Sequence, residues 1–368
     1  MQKKVIALAA AGLVSGAAFA QSNVTIYGIA DMSYVNYSDA SAAGYGATGQ
    51  VQSGQWKGAR FGLKGSEDLG NGLSAIFQQE FGMVMDVNNG PTTQRASWVG
   101  LKSTTLGEVR AGNHNTFEDD LLTSTSVTFG FGTVAAPKYV YIETAGGEPR
   151  FTISNAALYY SPVWNGFQVK VGYSSHASNS DDATSPTTAT GATGNNRVLA
   201  AAVHYTNGPL VAGATYEYNK AQDYAGVSSP DSGNTWNLAA SYDFGVARIG
   251  GAYGTISYAQ NPGVTTDDRK QWHLGVSAPI TPKDTVSINY AHATIDYNNA
   301  WNDDSIGFWG IGYQHSLSKR TTLYAAYGDI NQSDTNQTRA SLSSTTPVSG
   351  TSANAFERAV AVGIRHDF

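Results

Sequence analysis

The sequence predicts an all-β protein, a closed barrel of sixteen antiparallel strands that crosses a membrane. Three observations predict it: apolar and polar residues alternate, short turns alternate with long polar connections, and aromatic residues lie near strand ends on the apolar parity. The alternation is clearest over 167–174, 235–244 and 272–278. A period of two indicates a strand with one apolar and one polar face.

The connections between the predicted strands alternate in length. Seven tight turns are predicted at residues 69–72, 106–107, 165–166, 207–209, 244–245, 281–284 and 318–320. Long connections rich in Ser, Thr, Asn, Asp and Gly lie roughly at 38–54, 115–150, 175–196, 221–233, 260–269 and 332–354. Short turns at one end and long loops at the other are typical of an outer-membrane barrel, and sixteen strand candidates lie between Val24 and Phe368.

A soluble β-sandwich would also alternate, but it would bury its aromatic residues in a core. Here Tyr173, Phe244, Trp272 and Tyr313 lie near strand ends on the apolar parity. That position suits interfacial girdles that face lipid headgroups. The aromatic pattern therefore favours the barrel.

The first twenty residues predict a signal peptide. Lys3 and Lys4 precede the apolar run Val5–Val14, and residues 18–20 read Ala-Phe-Ala, a small-residue cleavage site. The run is shorter than the roughly 20 apolar residues that a spanning helix needs. We expect cleavage after Ala20 and a single barrel domain over residues 21–368.

Composition excludes several classes of function. The chain has no cysteine, so no disulfide framework, thiolate metal site or cysteine nucleophile is available. Loss of Lys3 and Lys4 would leave 20 basic against 28 acidic residues, a net charge of −8, which argues against nucleic acid as a partner. Charged residues make up 14% of the chain, whereas about 25% is usual in globular domains.

Several stretches resemble the general porins of β-proteobacteria, and they extend from end to end of the mature chain. They are NVTIYGIAD at 23–31, ARFGLKGSEDLGNGL at 59–73, QRASWVGL at 94–101, YSP at 160–162, LSKRTTLY at 317–324 and VGIRHDF at 362–368. The resemblance implies a sixteen-stranded outer-membrane barrel, a homotrimer, and a third external loop that folds inward to narrow the pore.

The resemblance also implies partners for this chain. Phe368 is similar to the terminal aromatic residue that the outer-membrane insertion machinery reads. Outer-membrane lipid, lipopolysaccharide and small hydrophilic solutes are the other expected partners. The small, apolar outward residues Gly28, Ala30, Val360 and Val362 on the first and last strands agree with a trimer contact.

The connection over about 115–150 is the candidate for the inward loop. It is the longest connection, and loops of that length are uncommon unless they are functional or disordered. Its middle, Thr128–Thr133, reads TFGFGT and is apolar enough to pack against a wall. We expect this loop inside the barrel.

Strand parity predicts which basic residues face the channel. If Phe61, Trp98 and Val109 face lipid, then Arg60, Arg95 and Arg110 face inward. In the porins that this sequence resembles, basic residues on strands two and four and at the far end of the third loop line the narrowest point. These correspond to Arg60, Arg95 and Arg150, whereas Arg110 is added from parity alone.

The loop places Glu118, Asp119 and Asp120 opposite this positive wall. Opposite charges across a narrow channel make a transverse field that sorts ions. The alternatives are that the arginines pair with Glu80 or Glu108 for stability and that the three carboxylates are solvated.

The predicted function is a general diffusion porin with a weak anion preference, because the barrier to an ion is set at the narrowest point. A substrate-specific channel or a cation-preferring porin is the alternative, since the net charge and the loop carboxylates favour cations. No enzyme is expected, because the inward Ser and His residues form no convincing catalytic set.

No metal or cofactor is expected within the channel. The acidic pairs 181–182, 267–268 and 303–304 lie in predicted external loops and are candidates for a loop-bound divalent cation, although solvated charge is the favoured reading. The sequence GYGATG at 44–49 fits a dinucleotide motif, but it lies in a polar loop with no helix after it.

Overall fold

The computed structural model describes residues 23–40, 48–87, 91–127, 152–175, 177, 197–220, 233–258, 267–297, 304–332, 338–339, 348–349 and 356–368. No helix within these ranges is both long and apolar enough to span a membrane. The predicted signal peptide, Arg150 and the apolar stretch Thr128–Thr133 lie outside the described residues.

The described chain is almost entirely β-structure. Its strands are β1 (Asn23–Ala40), β2 (Thr48–Ser53), β3 (Arg60–Gly70), β4 (Leu73–Met83), β5 (Pro91–Ser103), β6 (Gly107–Asn115), β7 (Thr152–Tyr160), β8 (Phe167–Ser174), β9 (Arg197–Asn207), β10 (Leu210–Lys220), β11 (Gly233–Asp243), β12 (Arg248–Tyr258), β13 (Asp267–Pro279), β14 (Asp284–Tyr297), β15 (Asp304–Ser316), β16 (Thr321–Gln332), β17 (Thr338–Arg339), β18 (Val348–Ser349) and β19 (Phe356–Asp367). The helix α1 spans Phe117–Thr125, between β6 and β7.

The strands form a closed antiparallel barrel of sixteen, as the sequence predicts. From β3 to β16 each strand pairs with the next along the chain, and β16 pairs with β19. β19 pairs in turn with β1, which closes the sheet. β2 and β3 both pair with β1 and are two parts of one barrel strand, whereas β17 and β18, among the described strands, pair only with each other.

The seven predicted tight turns are all present, and each joins two neighbouring strands. In the turn between β7 and β8, Asn165 has φ 49° and Gly166 has φ 90°. Asn and Gly tolerate this left-handed region, and two such residues match the twist of a hairpin. The predicted connection over 38–54 is shorter than expected, because β1 continues to Ala40 and β2 occupies Thr48–Ser53.

Side chains alternate between the two faces of the wall. On β11 the Leu238 side chain is 53% exposed, whereas its neighbour Asn237 is fully buried on the inner face. The outer face of β11 to β15 has an aromatic belt, with ring centroids 5.5 Å apart for Trp236 and Tyr253 and 4.8 Å apart for Tyr290 and Trp309. Such a belt suits the interface between water and lipid.

The strand parity predicted for Trp98 is wrong. Register between β4 and β5 shifts where Arg95 and Ala96 together face the single residue Glu80, which is a β-bulge. The extra residue reverses the alternation beyond it. Val99 is therefore 62% exposed on the outer face, and Trp98 lies inside, stacked on His114 at 5.8 Å.

The barrel seam depends on a close contact between Gly28 and Phe368. Their backbones exchange two hydrogen bonds, each 3.1 Å from N to O. The Phe368 ring covers Gly28 so closely that a Cβ there would lie 2.3 Å from Cζ of the ring and 2.7 Å from the Arg60 carbonyl oxygen. Only a residue without a side chain fits at this point.

We predict that Gly28→Ala weakens the seam by about 1 to 3 kcal/mol, the usual cost of forcing an extra methyl group into a packed position. The measurement is the temperature at which purified, detergent-solubilised protein loses its folded electrophoretic mobility.

The matched control is Gly307→Ala on β15, where the nearest atom to a new Cβ is the Tyr290 hydroxyl at 3.2 Å. Loss of the folded form at the same temperature in both variants would contradict a special role of the Gly28–Phe368 contact in the seam.

Candidate functional site

The helix α1 begins the long connection after β6. Thr116 caps it by accepting a hydrogen bond from the Asp119 N–H at 3.1 Å. Glu118, Asp119 and Asp120 occupy its first turn, where carboxylates interact favourably with the positive end of the helix dipole. These local preferences explain why a helix starts here within an otherwise all-β chain.

The helix packs on the inner face of the barrel. Leu121 and Leu122 are buried against Ala239 of β11 and Ala252 of β12. Arg248 of β12 donates a hydrogen bond from Nη2 to the Ser124 carbonyl at 2.6 Å. The described start of the connection therefore lies inside the barrel, and the course of the rest of the predicted inward loop stays a prediction.

A cavity of about 430 Å³ lies between α1 and the opposite wall. Basic and acidic side chains line it together: Lys57, Arg60, Arg95, Lys170, Asp119 and Asp120. Trp56, Gly58, Asn115, Thr123, Ser124, His204 and Ile29 complete the lining. The fold thus brings Arg60 and Arg95 to the same space as two of the three loop carboxylates.

Arg60 and Arg95 share one carboxylate, that of Glu80. Glu80 Oε1 lies 2.5 Å from Nε of Arg95 and 3.4 Å from Nη1 of Arg60. The Tyr27 hydroxyl donates to the other oxygen of Glu80 at 2.9 Å. Arg60 also donates from Nε to the Gly58 carbonyl at 3.0 Å. The arginines therefore do pair with Glu80, which was the alternative at the level of sequence, and two guanidinium groups share this one carboxylate.

Arg110 faces inward, as parity predicts, but it is not among the residues that line this cavity. It pairs with Glu108, and its guanidinium lies 4.1 Å from the centre of the Trp98 ring and 4.3 Å from that of Tyr160. These aromatic contacts stabilise a cation beyond its ion pair. Arg110 is thus part of the packing of the inner wall.

The acidic residues divide between two environments. Asp120 pairs with Lys170 of β8, with Nζ 3.1 Å from Oδ2, and Asp119 is close enough to Arg60 to interact electrostatically. Glu118 instead is buried between α1 and the wall, away from the cavity. Burial first, and then the neighbouring carboxylates of Glu217 and Asp119, raise the pKa of Glu118 well above its usual value.

Sequence patterns did not identify two basic residues of the cavity, Lys57 and Lys170. Lys170 lies on the polar parity of β8, so its inward direction could be predicted, but its partner Asp120 is fifty residues away in the chain. Lys57 lies in residues 54–59, which leave the wall between β2 and β3. No pattern in the sequence indicated that excursion.

The described residues contain no group of three or more His, Asp or Glu side chains suited to a metal ion. Of the acidic pairs proposed for a loop-bound cation, 181–182 and Asp303 lie outside the described residues.

Comparison with known proteins identifies the family. A family model described as Gram-negative porin matches residues 7–335. The chain is 33% identical to outer membrane porin protein 32 of Delftia acidovorans over the full length of both chains. It is 29% identical to an outer membrane porin protein of Bordetella pertussis, over 89% of this chain and 94% of the relative.

Two solved structures match this chain in fold. An anion-selective porin from Comamonas acidovorans matches with a TM-score of 0.76 and 27% identity, over 95% of this chain and all of that one. A trimer form of OmpT from Vibrio cholerae matches in fold, with a TM-score of 0.69 at 17% identity, over 94% of this chain and 99% of that one. With its closed sixteen-stranded barrel and charged inner cavity, this chain belongs to the Gram-negative porin family and forms a channel in the outer membrane.

Proposed function

We propose that this porin is a general diffusion channel with a weak anion preference, set by the cavity beside α1. Of the residues that the structure describes, four basic side chains line that cavity, whereas the carboxylates beside them are Asp119, Asp120 and the shared Glu80. One positive charge is therefore in excess. This local excess carries the proposal, because the potential at the narrowest point sorts ions more strongly than the net charge of the whole chain.

The preference is weak because most of these charges are paired. Arg60 and Arg95 keep 21% and 31% of their side-chain surface exposed, so water and salt screen them. The anion-selective porin of Comamonas acidovorans supports the sign of the preference by likeness. A ladder of basic or aromatic residues along the lumen would instead indicate a substrate-specific channel.

We predict opposite effects from the two partners of one ion pair. Arg95→Gln removes the excess positive charge and lowers the anion-to-cation permeability ratio, whereas Glu80→Gln adds to the excess and raises the ratio. Each change is expected to be about two- to fivefold, since a unit charge about 4 Å away in water is worth about 1 kcal/mol. The measurement is the reversal potential of the purified channel in a planar bilayer under a salt gradient.

Lys283→Gln is the control, because it removes a positive charge from an exposed tight turn. An unmodified channel that prefers cations would contradict the proposal and transfer control of selectivity to Asp119 and Asp120. Equal effects of Arg95→Gln and Lys283→Gln would show that only the overall charge matters.

We also propose that α1 is held rigidly in place beside the channel. Its buried leucines and the Arg248 contact with Ser124 support this role. Ionisation of Glu118 is expected to weaken the packing of α1, because an ionised carboxylate is costly where it is buried beside Glu217 and Asp119.

This environment predicts a pH dependence. Since the pKa of Glu118 is raised in the folded protein, packing of α1 is most stable in acid and weakens as the pH rises above the usual pKa of a glutamate toward the raised value. Glu118→Gln keeps the shape without the charge and is expected to remove this dependence. Single-channel current noise from about pH 4.5 to about pH 9, a range that starts near the usual glutamate pKa, is the measurement of α1 movement.

The matched control is Asp120→Asn, which removes a carboxylate from the same helical turn but on the cavity side. Identical pH profiles for the unmodified channel and Glu118→Gln would contradict the proposal that Glu118 controls the packing of α1.

We propose that the channel assembles as a homotrimer through the outer face of β1 and β19. Val24, Ile26, Val360 and Val362 are all about half exposed there and form an apolar surface, with the exposed rings of Tyr34 and Phe368 beside them. The trimer form of the Vibrio cholerae protein of similar fold supports this stoichiometry.

A bulky but apolar substitution tests the trimer without penalising contact with lipid. Val362→Trp is expected to convert trimers to monomers on native electrophoresis in mild detergent and to replace conductance steps in groups of three by single steps. Leu238→Trp on β11, also about half exposed, is the control and should leave the trimer intact. Retention of trimers by both variants would exclude this face as the contact.

Phe368, the last residue of the seam, is proposed as the signal that the insertion machinery reads. The aromatic belt is proposed to contact outer-membrane lipid and lipopolysaccharide. Passage is passive for small hydrophilic solutes and ions, with no catalytic step.

A further inference from the structure

Two positive charges lie side by side on the outer face of the barrel. Arg197 is the first residue of β9 and Lys220 is the last residue of β10, and the register of these two strands pairs them directly. Leu199 and Tyr218, each two residues away on the same strand, are exposed on the lipid side. Since alternate residues of a strand share a face, Arg197 and Lys220 also point away from the lumen.

The pair lies at the external end of the barrel, on the side opposite to the seam. Long connections of the chain precede Arg197 and follow Lys220, whereas a tight turn joins β9 and β10 at their other end. Long connections are external in an outer-membrane barrel. The order of strands places β9 and β10 across the barrel from β1 and β19. The pair therefore faces lipid even in the trimer proposed above.

Tyrosine rings indicate the depth of the pair in the membrane. Leu199 pairs with Tyr218 on β10 and with Tyr173 on β8, and both rings are exposed on the outer face. A tyrosine ring is favoured at the boundary between hydrocarbon and headgroups. Arg197 and Lys220 lie one step further toward the external side, which is the level of the lipid headgroups.

This cation pair departs from the usual charge pattern of a sheet. Like charges directly opposite each other on neighbouring strands repel and weaken the pairing. No carboxylate of the described residues pairs with Arg197 or Lys220, whereas the outward Lys270 on β13 lies 3.7 Å from the Asp296 carboxylate. An anion bound between the two cations would replace this repulsion by attraction.

An apolar groove of about 250 Å³ lies on the outer face next to the pair. Its floor includes the small, exposed Ala157, with Tyr173 opposite it on β8, and Tyr159 pairs with Val171 further along the same two strands. The groove extends from β6 to β9, and the residues that form it are Val109, Ala157, Leu158, Tyr159, Val171, Gly172, Tyr173 and Leu199. Leu199 is two residues from Arg197, a distance of about 7 Å along a strand.

A phosphate beside the cation pair and a hydrocarbon chain in the groove would belong to one amphiphile. We propose that Arg197, Lys220 and this groove form a site for a phosphorylated lipid of the outer leaflet, the lipid A part of lipopolysaccharide. Basic residues at a membrane surface attract anionic lipid, and a guanidinium group binds phosphate oxygens in pairs. This inference rests on the proposed contact with lipopolysaccharide and gives that contact a position on the barrel.

The test measures binding of purified diphosphorylated lipid A to the full-length protein in mild detergent, by native mass spectrometry. The unmodified protein is expected to retain lipid A in a saturable way. Arg197→Gln combined with Lys220→Gln is expected to raise the lipid A concentration for half occupancy about ten- to thirtyfold, because two attractions to anionic lipid are lost. Arg197→Lys combined with Lys220→Arg should retain most of the affinity, because both charges remain.

The control for charge is Lys283→Gln combined with Lys319→Gln, which removes two positive charges from exposed tight turns at the opposite end of the barrel. This variant should bind lipid A as the unmodified protein does. The folded electrophoretic mobility of each variant verifies that the barrel has formed.

Ala157→Phe tests the groove without a change of charge. The new ring would occupy the groove, and the half-occupancy concentration is expected to rise about four- to fifteenfold, the effect of losing one or two buried methylene groups. The matched control is Ala240→Phe, at an exposed outward position of β11 outside the groove. It should leave the affinity for lipid A unchanged.

Equal affinities of the unmodified protein and the Arg197→Gln, Lys220→Gln variant would overturn the site, as would an equal loss in the charge control. Displacement of lipid A by an equal concentration of inorganic phosphate would overturn the lipid assignment, because a free phosphate does not use the groove. The proposed contact with lipopolysaccharide fails by a different result, the absence of any retained lipid A on the unmodified protein.

Discussion

Closure of the sheet by its first and last strands is the constraint on which the rest of the molecule depends. An open sheet would leave the N–H and C=O groups of β1 and β19 unpaired in lipid, which is strongly unfavourable. The β1–β19 register and the Gly28–Phe368 contact pair these groups at the seam. Closure also gives every wall residue a definite side, lipid or lumen.

A lumen filled with water permits charged residues that a lipid face does not. The buried carboxylates Glu80 and Asp31 each hold more than one partner. Glu80 pairs with two arginines, and Asp31 joins the inward excursion to β16. A carboxylate buried beside other carboxylates is costly, as it is for Glu118. Shared carboxylates explain how a basic cavity forms in a chain whose net charge is negative.

Most of the wall could be predicted from the sequence, because strand alternation and turn chemistry are local. The apolar parity of β8 and β11 and the Asn165–Gly166 turn depend on residues that are close together in the chain. The orientation of Trp98 could not be predicted from the sequence, because the bulge opposite Glu80 arises from pairing between strands. A single inserted residue reverses a parity argument for the rest of a strand.

The sequence by itself determined the fold class, the number of strands, the seven turns and the inward direction of Arg60 and Arg110. Arg95 faces inward because of the bulge opposite Glu80, and not for the reason that strand parity gave. Only the tertiary structure decided which charges meet. Parity gives the side of the wall on which a residue lies, but neither its height along the channel nor its neighbours across the lumen. The partners of the site are far apart in the chain: Asp31 and Tyr324 are separated by 293 positions, and Lys170 and Asp120 by 50. Their contacts exist only because the barrel closes and α1 packs inside it.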